Sequence, residues 1–502
     1  MRYNTRMNVV LISTYELGHQ PFGLASPAAW LRELGAHVTC LDLAVQQLDE
    51  AVVAAADVVG VYVPMHTATR LAATLLPRLR ALAPAAHLCC FGLYAAANEG
   101  LLRELGAQTL IGGEFEAELA ALVRRLMADR RPTADDRQPT TAGEEPTTDD
   151  RRPLSAEEGQ FTGHEGALSS TAGRASAMVG GLLSVVSLER LEFRVPDRAG
   201  LPPLSSYAHL RLPDGQERVA GYTEATRGCK HLCRHCPIVP VYGGRFRAVP
   251  REVVLEDIRR QVAAGAQHIT FGDPDFFNGP GHALPIVRSL HEEHPALTYD
   301  VTIKVEHLLK HARHLPELRE TGCVLVTSAV EALDDTILAH FDKRHTRADV
   351  ARAVALLREA SLALNPTFVA FTPWTTRAVY QDWLRTIDEL GLVGSVAPVQ
   401  YAIRLLIPAG SRLLELPETQ RVIGPFDERA LSYPWAHPDP AMDALQADVM
   451  RAVHRLQRAG EPRQAIFARV WELACGEPLE LSPARRYLSR ELVPQMSEPW
   501  YC

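Results

Sequence analysis

Residues 7–128 alternate short apolar runs with stretches of helical period. MNVVLIS, AHVTCLDL, DVVGVYVPM, HLCCFGL and AQTLIGG read as strands. Helical patterns lie between and after them, from Ala28 to Leu34 and in LDEAVVAAA, TRLAATLLPRLRALA, EGLLREL and EFEAELAALVRRLM. Apolar runs without polar alternation are strands buried on both faces, so the pattern predicts a parallel sheet between two helical layers. Ligands of such sheets sit at the strands' carboxyl ends. Here those ends carry Ser13–Gly23, Pro64–Thr67, Gly92–Tyr94 and Gly112–Glu114.

The pattern stops at 129–176, where Thr, Pro, Asp, Glu and Arg leave almost nothing to bury, and a disordered linker is expected. Residues 177–217 regain apolar content as a lead-in segment. Alternation returns over 218–425 with QHITFGD, LTYDVTIKV, GCVLVTSAV, LALNPTFVAF and VQYAIRLLIP as strands separated by helical patterns. One strand for about every 30 residues fits a full or partial β/α barrel. Residues 426–502 read as a helical region, with ALQADVMRAVHRLQRAG and PRQAIFARVWELA as helices before a short helical pattern and a polar tail.

Composition narrows the class. The 502 residues hold 52 Lys and Arg against 60 Asp and Glu, a net charge of -8 that argues against nucleic acid as the partner. No apolar run reaches the roughly 18 residues of a membrane span, so no membrane partner is expected. The start MRYNTRMNVVLIST lacks the apolar core of a signal peptide. Nine cysteines are too few for a disulfide scaffold. Five of them, Cys40, Cys89, Cys90, Cys323 and Cys475, read as small buried hydrophobes.

The strongest chemical signal is GYTEATRGCKHLCRHCPIVPVYGGRFR, which places Cys229, Cys233 and Cys236 in one loop after the first barrel strand. Zinc sites ordinarily take four protein ligands, and no fourth cysteine follows at zinc spacing, although His231 and His235 lie between the thiols. Three thiolates on a [4Fe-4S] cluster leave one iron open, which implies chemistry rather than a staple.

C-x3-C-x2-C in that position resembles the radical S-adenosylmethionine (SAM) superfamily. The resemblance implies that the SAM amino and carboxylate groups chelate the open iron. It also implies that one electron into the cluster cleaves SAM, normally to methionine and a 5′-deoxyadenosyl radical. His235 stands where the family carries a residue near the adenine. Gly272 and Asp273 in FGDPD resemble the segment that receives the SAM amino group. Lys304 and Glu306 are expected on one side of the third strand, with Glu306 toward SAM, and Ser328 and Glu331 in TSAVEALDD resemble a further SAM-contacting segment. Arg404 is a candidate for a carboxylate or substrate anion, with an outer salt bridge as the alternative.

The first α/β unit resembles the cobalamin-binding domain of one radical SAM group, with LCCFGLYAA and IGGEFEAEL in the places of its glycine-rich segments. The histidine-on cobalamin motif is absent: His19 lies four residues before Gly23, with no aspartate two before it. Cobalamin and a retained lid or scaffold domain are both carried forward. The ending SEPWYC resembles a subgroup with CUAEP or CCAEP tails, of which Cys502 alone is present. Cys502 is therefore a catalytic candidate, and a UGA codon for selenocysteine after it is one expectation.

The expected fold is a Rossmann-like cobalamin-binding-type domain (1–128), then a partial (β/α)6 barrel and a helical C-terminal extension. The expected cofactors are a [4Fe-4S] cluster and SAM, with cobalamin alongside. The expected partners are a small-molecule substrate and a flavodoxin- or ferredoxin-type electron donor, in a reducing cytoplasm. The expected reaction is methyl transfer or another radical modification of a small molecule. Alternatives are 3-amino-3-carboxypropyl transfer or bond formation to a soft atom such as arsenic or selenium, and a non-catalytic redox or sensing module.

Overall fold

The computed structural model describes residues 6–130, 174–179, 182–479 and 493–498. The five expected strands form: β1 (Asn8–Ser13), β2 (His37–Asp42), β3 (Val58–Tyr62), β4 (His87–Phe91) and β5 (Thr109–Gly113). Two further strands, β6 (Arg174–Val179) and β7 (Leu182–Ser187), complete a seven-stranded sheet of order β2-β1-β3-β4-β5-β7-β6. Strand β7 runs parallel to β5 and β6 antiparallel to β7. The linker expected over 129–176 therefore gives way to strand at 174, and the rest of it lies outside the described residues except Asp129 and Arg130. LLSVVS is short and follows a long polar stretch, so its β-branched run carries little weight in the pattern alone.

Alternate residues of these strands enter two separate cores. Val10, Ile12, Val59, Val61, Leu88 and Cys90 pack on helix His66–Leu82 and its neighbours. Val9, Leu11, Val58, Cys89, Phe91 and Ile111 pack on helices Phe22–Glu33 and Phe115–Asp129. Burial of both faces is why the runs are continuously apolar. It also sends Cys89 and Cys90 to opposite sides as packing residues.

The second unit begins with β8 (His209–Arg211) and β9 (Glu217–Thr223), followed by a hairpin of β10 (Thr226–Gly228) and β11 (Phe246–Ala248). The expected strands follow as β12 (His268–Phe271), β13 (Thr298–Thr302), β14 (Cys323–Glu331) and β15 (Ala363–Phe368). From β9 through β15 the neighbours pair in parallel, in the order β15-β14-β13-β12-β9, so this is an open, partial barrel. Its inside is polar: Thr270 and His268 both bond to Asp300, and Asn365 donates to Thr327.

VQYAIRLLIP does not form the expected strand. It makes a tight 3-10 turn, Pro398–Ala402, and joins the barrel through a single parallel bridge from Arg404 to Phe371. The Gln400 side chain accepts from the Phe368 N–H at 2.7 Å, and Tyr380 donates to the Tyr401 carbonyl, so side chains meet the backbone groups a ladder would pair.

Lys304 and Glu306 also leave the expected strand. Strand β13 ends at Thr302, Lys304 caps helix Val305–Lys310, and Glu306 lies in that helix's first turn, where the helix dipole favours an acid. Helices Pro440–Arg458 and Arg463–Cys475 pack together beyond the barrel. The tail returns as β16 (Gln495–Met496), antiparallel to β8, and Tyr15 donates to Glu498 beside Gly18. Among the described residues, no helix is long and apolar enough to cross a membrane.

Candidate active site

The carboxyl ends of both sheets face one cavity of about 460 Å3. The first sheet lends Glu16, Tyr62, Met65, Tyr94 and Phe115, and the barrel lends Tyr222, Gly272, Thr302, Ala329 and Thr367. All three loop cysteines, Cys229, Cys233 and Cys236, open onto it. Gly228 turns the chain into the first of them at φ +72, and a Cβ there would lie 2.5 Å from the Arg245 carbonyl oxygen. Burial pushes the Cys236 thiol up to about 12 and raises Cys229 as well. Such thiols ionise when a metal or cation compensates the charge.

Two lysines bring that compensation close. Lys304 Nζ stands 3.7 Å from Cys233 Sγ, and Lys343 faces Cys233 and Cys236 while pairing with Glu331 at 3.3 Å. Burial alone would raise the Glu331 carboxyl, but Lys343 and His235 outweigh it and hold it at about 2. His235 Nε2 lies 3.1 Å from Glu331 and its ring packs on Phe341 at 4.6 Å. Glu331 sits at φ +69, a strained left-handed position for a non-glycine residue, at the end of β14.

The other loop histidine turns elsewhere. His231 lies 3.4 Å from Asp275, which His307 meets at 2.6 Å, and 3.6 Å from Glu306. Cys229, His231 and Asp275 present ligand atoms within 4.8 Å of one another, yet both partners of that thiol are already engaged with each other. His235 bonds to Glu331, and His231 stands 3.4 Å from Asp275 with its Nε2 unbonded among the described residues, so the loop presents three thiols with one imidazole turned toward a carboxylate. The three thiols fit a three-cysteine cluster with an open iron better than a four-ligand zinc site.

The remaining sequence candidates divide. Gly272 lines the cavity, and a Cβ there would meet the Tyr222 hydroxyl at 1.8 Å, so glycine is required for the close approach. Asp273 is 2% exposed and turned into the protein: it accepts from the Ala225 N–H at 2.9 Å and from Thr226 Oγ1 at 2.5 Å. It ties the β12 loop to the root of the cysteine loop rather than facing the cavity. Burial raises its carboxyl to about 7. Ser328 is fully buried and absent from the cavity wall, because Ala329 and Glu331 on the alternate face of β14 point inward instead. Arg404 reaches the wall, but its guanidinium is spent on Asp443 at 2.5 Å, the Trp435 carbonyl at 2.6 Å and the Trp435 ring at 3.5 Å, which is the salt-bridge alternative. Cys502 lies outside the described residues.

The site also contains groups that sequence reasoning passed over. Arg227, between the strand end and Cys229, inserts between the two units and pairs with Glu224 at 2.6 Å, Glu116 at 2.7 Å and Glu114 at 3.1 Å. The rings of Phe22, Phe115 and Phe193 surround its guanidinium within 6 Å. Lys343 and the Asp275–His307 pair were likewise unmarked.

A partial parallel barrel carries a three-cysteine loop at its open end and is roofed by a Rossmann-like sheet. Residues 223–373 match the model described as "Radical SAM superfamily", and this stretch of the chain is a radical SAM domain. Among curated proteins it is 27% identical to tRNA-2-methylthio-N(6)-dimethylallyladenosine synthase of Desulfosudis oleivorans, over 40% of this chain and 44% of that protein. It is 24% identical to the ribosomal protein uS12 methylthiotransferase RimO of Geobacter sulfurreducens, over 34% of this chain and 39% of that one. The chain thus spans less than half the length of these relatives. Among solved structures, the cobalamin-dependent SAM radical enzyme OxsB superposes with a TM-score of 0.65 at 14% identity, covering 90% of this chain and 67% of that one. The radical SAM methyltransferase TsrM from Kitasatospora setae gives 0.54 at 16% identity, covering 89% of each. The two-unit fold expected from the sequence is therefore shared by both enzymes.

Proposed function

We propose that this enzyme reductively cleaves SAM at a [4Fe-4S] cluster held by Cys229, Cys233 and Cys236 and applies the result to a small molecule in the cavity between the two sheets. The carrying observation is that the three thiols and the first sheet's strand ends line one cavity. Bound together, cluster and SAM supply one-electron cleavage of a carbon–sulfur bond, with the electron drawn from a flavodoxin- or ferredoxin-type donor.

The chain's own residues do the rest. Lys304 and Lys343 offset the charge of three thiolates. Gly272 lets the Tyr222 hydroxyl close on the barrel rim. Asp273 fixes that rim to the cysteine loop. Glu331 orients the His235 ring from behind, and Glu306 with Asp275 does the same for His231. The first sheet closes the top and excludes water.

Cobalamin is judged on the same ground. The Tyr62, Phe91 and Phe115 rings, 5.1 to 5.6 Å apart, fill the space between the strand ends and their covering helices. Gly23 is backed by the Tyr62 ring and Gly113 by the Ser187 carbonyl, so these glycines serve internal packing. A cavity of about 460 Å3 is of the size that takes SAM and a small substrate. Structures of OxsB and TsrM that share this two-unit fold hold cobalamin, which supports it as a further cofactor at the first sheet's strand ends, and no step is routed through it. His19 lines the same cavity beside the Tyr222 ring at 4.9 Å, and burial pushes its imidazole down to about 4.

Cys502 keeps its place as a soft nucleophile or reductant. Its support is that the tail is pinned at Glu498, four residues before it, to the loop that carries Glu16 into the cavity. The test is anaerobic reconstitution with iron and sulfide, reduction, and analysis of SAM products. Wild type should cleave SAM, and alanine at any of the three cysteines should abolish cleavage. A reduced, cluster-loaded protein that leaves SAM intact refutes the reading.

A further inference from the structure

The roof of the cavity carries a carboxylate that the SAM chemistry does not use. Glu16 lies on the loop after β1, is 8% exposed and lines the cavity. Its Oε2 has no hydrogen-bond partner among the described residues, and its Oε1 receives only a long contact, 3.4 Å, from the Gly23 N–H. A buried carboxylate left this way is costly unless a partner arrives or a proton neutralises it.

Among the described residues no cation pairs with Glu16. Arg198, the nearest, is held by Asp257 at 3.0 Å and by Gln20. Arg227 is already shared by Glu114, Glu116 and Glu224. Four carboxylates thus stand against one guanidinium, and Glu16 is the one of the four without an ion pair among the described residues. Burial raises its carboxyl well above the ordinary value, and Glu224 and Asp42 add to the effect. The walls beside it are aromatic: Phe22, Tyr62 and Tyr222. An acid at the end of an aromatic sleeve is the recognition chemistry of an organic ammonium ion, through a charge-assisted hydrogen bond and cation–π contact.

We propose that Glu16 receives the protonated amine of the substrate, so that the enzyme acts on a small molecule carrying an ammonium group held against the roof while its reacting end points to the cysteine loop. This inference rests on the proposed radical SAM reaction in the same cavity, and names the substrate class for it. Glu16 is on the first sheet, so the specificity for charge belongs to the roof and the radical chemistry to the barrel.

The test uses the cluster-loaded, unreduced full chain saturated with SAM, and two probes alike in shape: phenethylamine and 2-phenylethanol. Binding is read by ligand-observed NMR titration. Wild type should bind the amine at least about tenfold more tightly than the alcohol, as expected for a charged hydrogen bond in a buried site. Glu16→Gln should bring the two affinities together while leaving the alcohol's unchanged. Its urea midpoint should be no lower than wild type's, because an unpartnered carboxylate has been removed. Equal binding of the two probes by wild type, or an amine preference that survives Glu16→Gln, overturns the proposal. SAM cleavage is measured on the same samples. Loss of cleavage with the amine preference intact counts against the radical SAM reading alone, and intact cleavage without the preference counts against the ammonium site alone.

Discussion

Replacing Arg227 with methionine keeps an apolar stem among Phe22, Phe115 and Phe193 but removes the cation from three carboxylates. Glu114 and Glu116 are 1% and 0% exposed, so water cannot replace the guanidinium, whereas Glu224 is better solvated and contributes less. Breaking a buried pair from one side costs about 3–5 kcal/mol. An independent route gives a similar figure: protonating one glutamate at pH 7 costs about 3–4 kcal/mol at 1.36 kcal/mol per pH unit. The three pairs share one guanidinium, so their losses do not add. The expected destabilisation is therefore about 3–5 kcal/mol at pH 7. It should shrink toward pH 5, because a carboxyl whose folded pKa is raised loses stability as pH rises above its unfolded value. Urea unfolding at pH 5 and pH 7, followed by tryptophan fluorescence, measures both. Adding Glu116→Gln to Arg227→Met should restore part of the loss. A defect below about 1 kcal/mol at pH 7, or one of equal size at both pH values, would refute the assignment of Arg227 as the ionic seal between the two units.

Other expectations follow from single sites. Gly272→Ala forces a Cβ onto the Tyr222 hydroxyl, so it should lower stability by about 1–3 kcal/mol and weaken SAM binding measured by equilibrium dialysis; unchanged SAM affinity counts against a close approach there. Glu16 titrates above its ordinary 4.5, facing Glu224, Asp42 and Arg198, so wild-type stability should fall as pH rises from about that value. Glu16→Gln should flatten that fall in urea midpoints taken from pH 5 to 8. Anaerobically purified and reconstituted protein, offered hydroxocobalamin and desalted, should retain a corrinoid band beside the iron–sulfur absorption; complete loss of corrinoid on desalting refutes cobalamin as a cofactor.

The parts of the fold carried by burial on two faces were legible, because a strand such as HLCCF has one pattern whatever its neighbours do. Strand β7 was not, since nothing in LLSVVS says that it crosses back to pair with β5. VQYAIRLLIP failed for the opposite reason: its apolar run is real, but Gln400 and Tyr380 satisfy the backbone as a turn. At the site, Cys229, Cys233 and Cys236 were legible because a local spacing encodes them. Lys343 was hidden because its pairing with Glu331 depends on how the helix after β14 returns. Asp273 was read as facing the ligand from its place in FGDPD, but proximity in sequence does not fix which way a side chain turns, and two donors hold it inward. Arg227 was hidden most deeply, since its three partners come from both units.

That last arrangement bears on how the reaction is kept to its substrate. Arg227 is two residues from Cys229, and Glu114 and Glu116 open the last helix of the first sheet. The roof is thereby fixed to the cysteine loop by charge, inside an aromatic cage, at the cavity's edge. A roof attached through loosely packed apolar groups would shift by small amounts at little cost. One attached through a buried guanidinium that reaches three carboxylates has few alternative arrangements that keep all three contacts. The distance between Glu16 on the roof and the thiols on the loop is then set by the fold rather than by the ligand. Reactive species formed at the loop would meet a substrate whose position is already determined, which is the geometric condition for selective radical attack on one carbon among several.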